Sequence, residues 1–184
     1  MAAPFLVRAA ASTAWITDHH ADTSPSRRDM AKRAGRLSCL LTAELLAESE
    51  RAGVPVERLV TAAFGRTVGC TVGAGELAVR VDGESGAPTT FLVGCTDERG
   101  LSGAEAIARV RPARQAVTPA ACVSYRSVVE GTSPEAGFQL VLHARLGADL
   151  LYLDWWYDTR SFDAATVAEL DEQFPLAVIT TTSG

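Results

Sequence analysis

FQLVLHARLGADLLYLDWWYD, residues 138–158, reads as two strands and a turn. Phe138, Leu140, Leu142, Ala144 and Leu146 alternate with Gln139, Val141, His143 and Arg145, the period of two that turns one side of a strand toward a core. The link Gly147-Ala148-Asp149 is too short for a crossover, so LLYLDWWYD returns beside it as a hairpin. The same alternation sends Trp155 and Trp156 to opposite sheet faces, where they form a core and interface cluster with one ring available to a partner.

Working outward, Leu77, Val79 and Val81 alternate with Ala78, Arg80 and Asp82, and CVSYRSVV from Cys122 has the β-branched and aromatic content of another strand. LSCLL from Leu37 reads as a short strand. Thr42 is placed to cap a helix over AELLAESERA, which Gly53 stops. Pro55 suits the first turn of a second helix, whose stripe of Val56, Leu59, Val60, Ala63, Phe64 and Val68 keeps helical spacing. Ser102-Gly-Ala-Glu105 is a capping box opening a short helix through Val110. Asp163 caps a last helix bearing Val167, Leu170 and Phe174, which Pro175 kinks or ends. These elements predict one α/β domain over residues 37–184, a mixed sheet of about four to six strands covered by helices. Residues 1–36 are polar and aperiodic, and read as an irregular segment, either mobile or laid over the domain.

Composition narrows the function classes. A chain of 184 residues suits one well-buried core. A net charge of −5 argues against a general nucleic-acid binder. No apolar run approaches the ~20 residues that span a bilayer. MAAPFLVRAAASTAW lacks a basic leader and is interrupted by Arg8, so it reads as mature chain rather than a signal peptide. Cys39, Cys70, Cys95 and Cys122 are widely spaced, with no CxxC pair; four buried thiols in a reduced cytoplasm is the expectation.

Several loose motifs, taken in order, resemble one family. LSCLLTAELLAESERAGVPVERLVTAAFGRTVGCTVGAGELAVRVDGE, beginning at Leu37, is similar to the opening of the C-terminal subdomain of nonribosomal peptide synthetase condensation and epimerization domains. FLVGCTDERG resembles a turn of that subdomain, with Cys95 where a bulkier residue is usual, and SYRSVVEG resembles the strand that follows. LYLDWWYDTRSFDAATVAELDEQF resembles its closing hairpin and helix. The resemblance runs from Leu37 to Ile179 and implies one half of a chloramphenicol acetyltransferase-like fold. It implies a setting in which acyl or peptidyl groups arrive on the phosphopantetheine arms of carrier proteins and an amine or hydroxyl attacks the thioester. The family's HHxxxDG belongs to the N-terminal subdomain, which this chain lacks.

His19-His20-Ala21-Asp22-Thr23-Ser24-Pro25 begins like that motif but puts Ser24 and Pro25 where Asp and Gly belong, so His19 and His20 read as a solvated pair rather than as a general base. His143, alone on the polar side of its strand, reads as a surface or satisfied residue. With no supported catalytic residue, the isolated chain is expected not to catalyse transfer. His19, His20 and Asp22 lack a fourth spaced ligand, so no metal is expected, and no cofactor of its own, only the phosphopantetheine arm of a partner. Arg27, Arg28, Lys32, Arg33 and Arg36 form a basic pole, while from Glu130 onward nine acidic residues stand against Arg145 and Arg160. That pole, with Trp155 and Trp156, is the predicted partner surface: it would meet an acidic carrier protein. Three roles stay open: a non-catalytic docking or assembly module, one half of a split transferase, and a degenerate remnant or excised piece of a larger synthetase. A homodimer or a complex with an N-terminal half is expected, with apolar material from Trp155 or Trp156, Val141 and the VVEG strand end.

Overall fold

The computed structural model describes residues 16–84, 86–114, 117–127 and 136–183. The VVEG strand end and residues 1–15 lie outside them. In chain order the elements are β1 (Met30–Arg36), α1 (Cys39–Ala52), α2 (Val56–Thr71), β2 (Gly75–Asp82), β3 (Thr89–Cys95), α3 (Gly103–Ala108), β4 (Val110–Pro112), β5 (Ala121–Arg126), β6 (Leu140–Gly147), β7 (Leu150–Asp158) and α4 (Ala164–Thr182). The β6–β7 hairpin read from the sequence lies inside a seven-stranded sheet of order β1-β7-β6-β5-β2-β3-β4. Strands β2, β5 and β6 run parallel and the other pairings are antiparallel, so the sheet is mixed, as expected, but larger.

One face of this sheet carries the helices. Leu140, Leu142 and Ala144 of β6 and Leu151, Leu153 and Trp155 of β7 join Leu45 of α1, Phe64 of α2, Ala106 of α3 and Phe174 of α4 in one apolar cluster. Trp155 is fully buried at its centre. Its ring stacks on Phe64 at 6.0 Å between centroids and meets the edge of Phe174 at 5.7 Å. A Trp buried this way is worth roughly 4–6 kcal/mol of transfer free energy, an upper estimate. Trp155 is therefore core and is not available to a partner, which corrects its place on the predicted partner surface.

Capping decides where the helices begin. Ser38 caps α1, its Oγ accepting from the Leu41 amide at 3.2 Å, so LSCLL is a cap and a first turn rather than a strand. Thr42 sits one turn in. Its hydroxyl donates to the Ser38 carbonyl at 2.9 Å and accepts from the Leu151 amide at 3.0 Å, pinning α1 to β7. Gly53, at φ 63°, closes the helix in the left-handed conformation that costs other residues more. The capping box of Ser102 and Glu105 forms, but α3 stops at Ala108 and Val110 opens β4. Pro175 does not end α4. Phe174, Ala177 and Val178 are buried on both sides of it, and that packing carries the helix past the missing amide.

The N-terminal segment differs most from expectation. Met30–Arg36 is not irregular: it pairs with β7 from Met30↔Asp158 to Arg36↔Tyr152. Residues 16–29 lie against the start of α4. The Asp18 carboxylate accepts from the Asp163 amide at 2.8 Å and the Thr166 hydroxyl at 3.0 Å, so Asp18 supplies the cap expected of the Asp163 side chain. Arg160 donates to the Asp158 carboxylate at 2.9 Å and to Thr23, tying this segment to the end of β7.

Candidate functional site

The side chains opposite the helices form the polar centre of the molecule. Ser124 of β5, His143 of β6 and Asp154 of β7 are direct neighbours across the sheet. Each alternates with a core residue, Val123, Leu142 and Leu153, so all three point to the face away from the helices. They are nearly buried, at 5%, 8% and 2% exposure. Ser124 Oγ lies 2.5 Å from His143 Nδ1. Asp154 is neutralised from two sides, by Lys32 Nζ of β1 at 2.8 Å and by Arg145 Nη2 of β6 at 2.9 Å. Beside this row runs an apolar one: Cys122, Val141 and Phe138, with Met30 and Trp156 packed against them. Lys32 also stands over the Trp156 ring, 5.6 Å from its centroid. Trp156 Nε1 is buried with no hydrogen-bond partner among the described residues.

Ser, His and Asp side by side invite comparison with a nucleophilic triad. In that arrangement the serine meets one imidazole nitrogen and the carboxylate holds the other, Nδ1. Here Ser124 occupies Nδ1 itself, and the two Asp154 oxygens are engaged by cations. What this geometry supplies is a charge-compensated polar clamp across strands β5, β6 and β7 and the edge strand β1, with an aromatic ring at its side.

The remaining predicted residues fall in three places. His19 and His20 are exposed on the surface, His19 within 3.2 Å of Asp163 and His20 within 3.4 Å of Asp22. The expected basic pole is divided by the pairing of β1 with β7. Lys32 is spent on Asp154, and Arg33 on Asp171 at 3.0 Å and Glu172 at 4.0 Å, so these two serve the fold and correct the expectation that the whole pole faces a partner. Arg27, Arg28 and Arg36 remain exposed. Trp156, half-buried on the second face, is the tryptophan that a partner can reach. The described residues contain no group of three or more His, Cys, Asp or Glu able to hold a metal ion. Among them no helix is long and apolar enough to cross a membrane.

Two features were missed in the sequence. A cleft of about 430 Å³ opens where α2 begins and β2 ends, lined by Pro55, Glu57, Arg58, Val81, Phe91 and Val110 among others, with Arg58 Nη2 donating to the Val110 carbonyl at 2.8 Å. Its walls come from segments far apart in the chain, so no local signal marks it. The cysteines also divide. Cys39 and Cys70 are exposed, contrary to the expectation of four buried thiols, while Cys95 and Cys122 are buried. Burial, and secondarily the Glu76 carboxylate, pushes the Cys95 thiol up to about 12, far from a reactive thiolate.

No protein-family model matches the chain. One component of the phenolphthiocerol/phthiocerol polyketide synthase of Mycobacterium tuberculosis is 26% identical over 233 aligned positions, a match covering 91% of this chain and 16% of that protein. Its counterpart from Mycobacterium bovis matches to the same extent. Among solved structures, the epimerization domain from the third module of tyrocidine synthetase B superposes with a TM-score of 0.68 at 13% identity, covering 90% of this chain and 50% of that one. The X-domain from teicoplanin biosynthesis gives 0.66 at 18% identity, with 90% and 50% covered. The condensation domain from Monacolin K polyketide synthase gives 0.63 at 10% identity, again with 90% and 50%. The chain spans half the length of these structures, and its fold is that of one half of a condensation-type domain, as the sequence resemblance implied.

Proposed function

Starting from that half-domain fold, we propose that the chain acts in nonribosomal peptide or polyketide assembly as the C-terminal half of a condensation-type domain. Its role is docking and assembly rather than acyl transfer by itself. The observation that carries this reading is the superposition itself: nine-tenths of the chain overlays half of the tyrocidine synthetase epimerization domain. The polar centre supports the non-catalytic role, because Ser124 engages His143 at Nδ1 and both Asp154 oxygens are taken by Lys32 and Arg145. The partner is an acidic carrier protein with its phosphopantetheine arm, met through Arg27, Arg28, Arg36 and the half-buried Trp156. A second copy or an N-terminal half completes the assembly, in the cytoplasm. The half-length match also favours a second reading, a split transferase whose HHxxxDG half is on another chain.

The two readings separate in one experiment. The purified chain is mixed with donor- and acceptor-loaded carrier proteins, with and without a separately expressed N-terminal half. Docking predicts salt-sensitive carrier binding and no amide or ester product in either mixture; the split transferase predicts product only when the second half is present. Turnover by the chain alone that is lost in His20→Ala or His143→Ala would overturn the non-catalytic reading.

A further inference from the structure

The outer edge of β1 is a long, open hydrogen-bonding surface. The Thr159 amide donates to the Asp29 carbonyl and the Leu37 amide to the Leu151 carbonyl, both at 2.9 Å. Those bonds bracket the β1–β7 register, so the odd-numbered residues of β1 share the ladder with β7. The even-numbered ones, Met30, Lys32, Ala34 and Arg36, therefore turn their backbone N–H and C=O groups outward. β1 ends the sheet, and none of these groups has a backbone partner among the described residues. The opposite edge is closed by different means: β4 is only three residues long and ends at Pro112. β1 is seven residues long, with an unbroken register and no proline.

Charge decides what can pair there. A second copy of β1 laid antiparallel about Arg33 would set Arg33 against Arg33 and bring Lys32 and Arg36 of both copies to the same joint, which like-charge repulsion opposes. Arg27 and Arg28 precede the strand and Arg36 ends it, all three exposed and outside every ion pair among the described residues. Cations thus stand at both ends of the edge, with Met30, the Asp154-paired Lys32 and Ala34 between them. We propose that this edge takes an extended acidic segment of a partner protein as an added strand, backbone to backbone, with its carboxylates at Arg36 and at Arg27 and Arg28. The inference rests on the docking reading only for which protein carries the segment.

The test uses the full chain and a capped eight-residue peptide with Glu at both ends and alternating Val and Thr between. At saturating peptide, exchange of the Lys32, Ala34 and Arg36 amides slows by about tenfold or more, as one added backbone hydrogen bond per amide requires. Methylating the peptide nitrogens that face β1 abolishes this protection. Ala34→Pro removes an outward amide without touching the β7 ladder, and weakens binding by about tenfold. Arg36→Glu weakens the Glu-ended peptide and gains affinity for a Lys-ended one. The methylated peptide probes the wild-type chain, so the answer does not depend on the proline variant folding. Unchanged exchange of β1 with peptide present overturns the inference, as does protection that grows with protein concentration alone, which would mean self-pairing. Carrier-protein binding that survives Ala34→Pro would also overturn it while leaving the docking reading standing.

Discussion

Replacing Asp171 tests how the N-terminal strand is tied to the core. On α4, Asp171 Oδ1 accepts from Trp155 Nε1 at 3.1 Å and Oδ2 accepts from Arg33 Nε at 3.0 Å, with the carboxylate 13% exposed. Asp171→Ala leaves the indole N–H of a fully buried ring without its acceptor, a loss of about 1–3 kcal/mol. It also frees Arg33, which at 39% exposure can turn to water or to Glu172, so that loss is only about 0.5–1 kcal/mol. The sum is about 1.5–4 kcal/mol. For a chain of this size, a mid-range loss near 3 kcal/mol lowers the thermal midpoint by about 6–12 °C. Asp171→Asn keeps an acceptor for the indole and should lose only about 1 kcal/mol. Gly35 adds a coupling test, because a Cβ there would stand 2.0 Å from Asp171 Oδ1. Gly35→Ala should therefore cost less in the Asp171→Ala background than in the wild type. Thermal and denaturant unfolding followed by tryptophan fluorescence measures the wild type and all four variants. An Asp171→Ala loss below about 0.5 kcal/mol, or an Asn variant as damaged as the Ala variant, would refute the reasoning.

Acid should loosen the knot at Arg160. Burial alone would raise the Asp158 carboxyl, but hydrogen bonds from Arg160 and Ser161 outweigh it and hold the group below the usual carboxylate range. A depressed folded value contributes stability that is full above the ordinary pKa of about 3.9 and is lost as pH falls through the folded value. The acid limb of the midpoint against pH should flatten in Asp158→Asn, and an unchanged limb would count against it. With a thiol reagent, Cys39 and Cys70 should react in the native protein and Cys95 and Cys122 only after unfolding. Four fast thiols would contradict the burial of the second pair.

What could be read in advance followed the range of the interaction. The β6–β7 hairpin and α2 were legible because an alternation or a helical stripe is written within a dozen or so neighbouring residues. β1 was not: MAKRAGR has no apolar alternation and carries a glycine, and its stability comes from β7 and from carboxylates more than a hundred positions away, such as Asp154 and Asp171. Ser38 and Thr42 are both competent caps, and only the contact of Thr42 with Leu151 shows which residue has the second role. The face of His143 was readable from alternation, but its burial depends on Ser124 and Asp154, contributed by other strands. Trp155 and Trp156 were separable in direction, while the choice of which one meets the core required Phe64 and Phe174 to be in place.

The pairing of β1 with β7 also bears on where this chain can be cut. LLYLDWWYD is rich in residues that favour intermolecular β-stacking, and it is shielded on one side by β6 and on the other only by β1. A version trimmed to begin at Leu37 would keep nearly all of the apolar core yet uncover the seven residues Tyr152–Asp158 of an aromatic strand along a bare flank. Its hazard would be insolubility during expression more than a lowered melting point. The basic heptapeptide ahead of the globular core thus works as a built-in solubility guard, and the practical boundary of the domain lies before Met30.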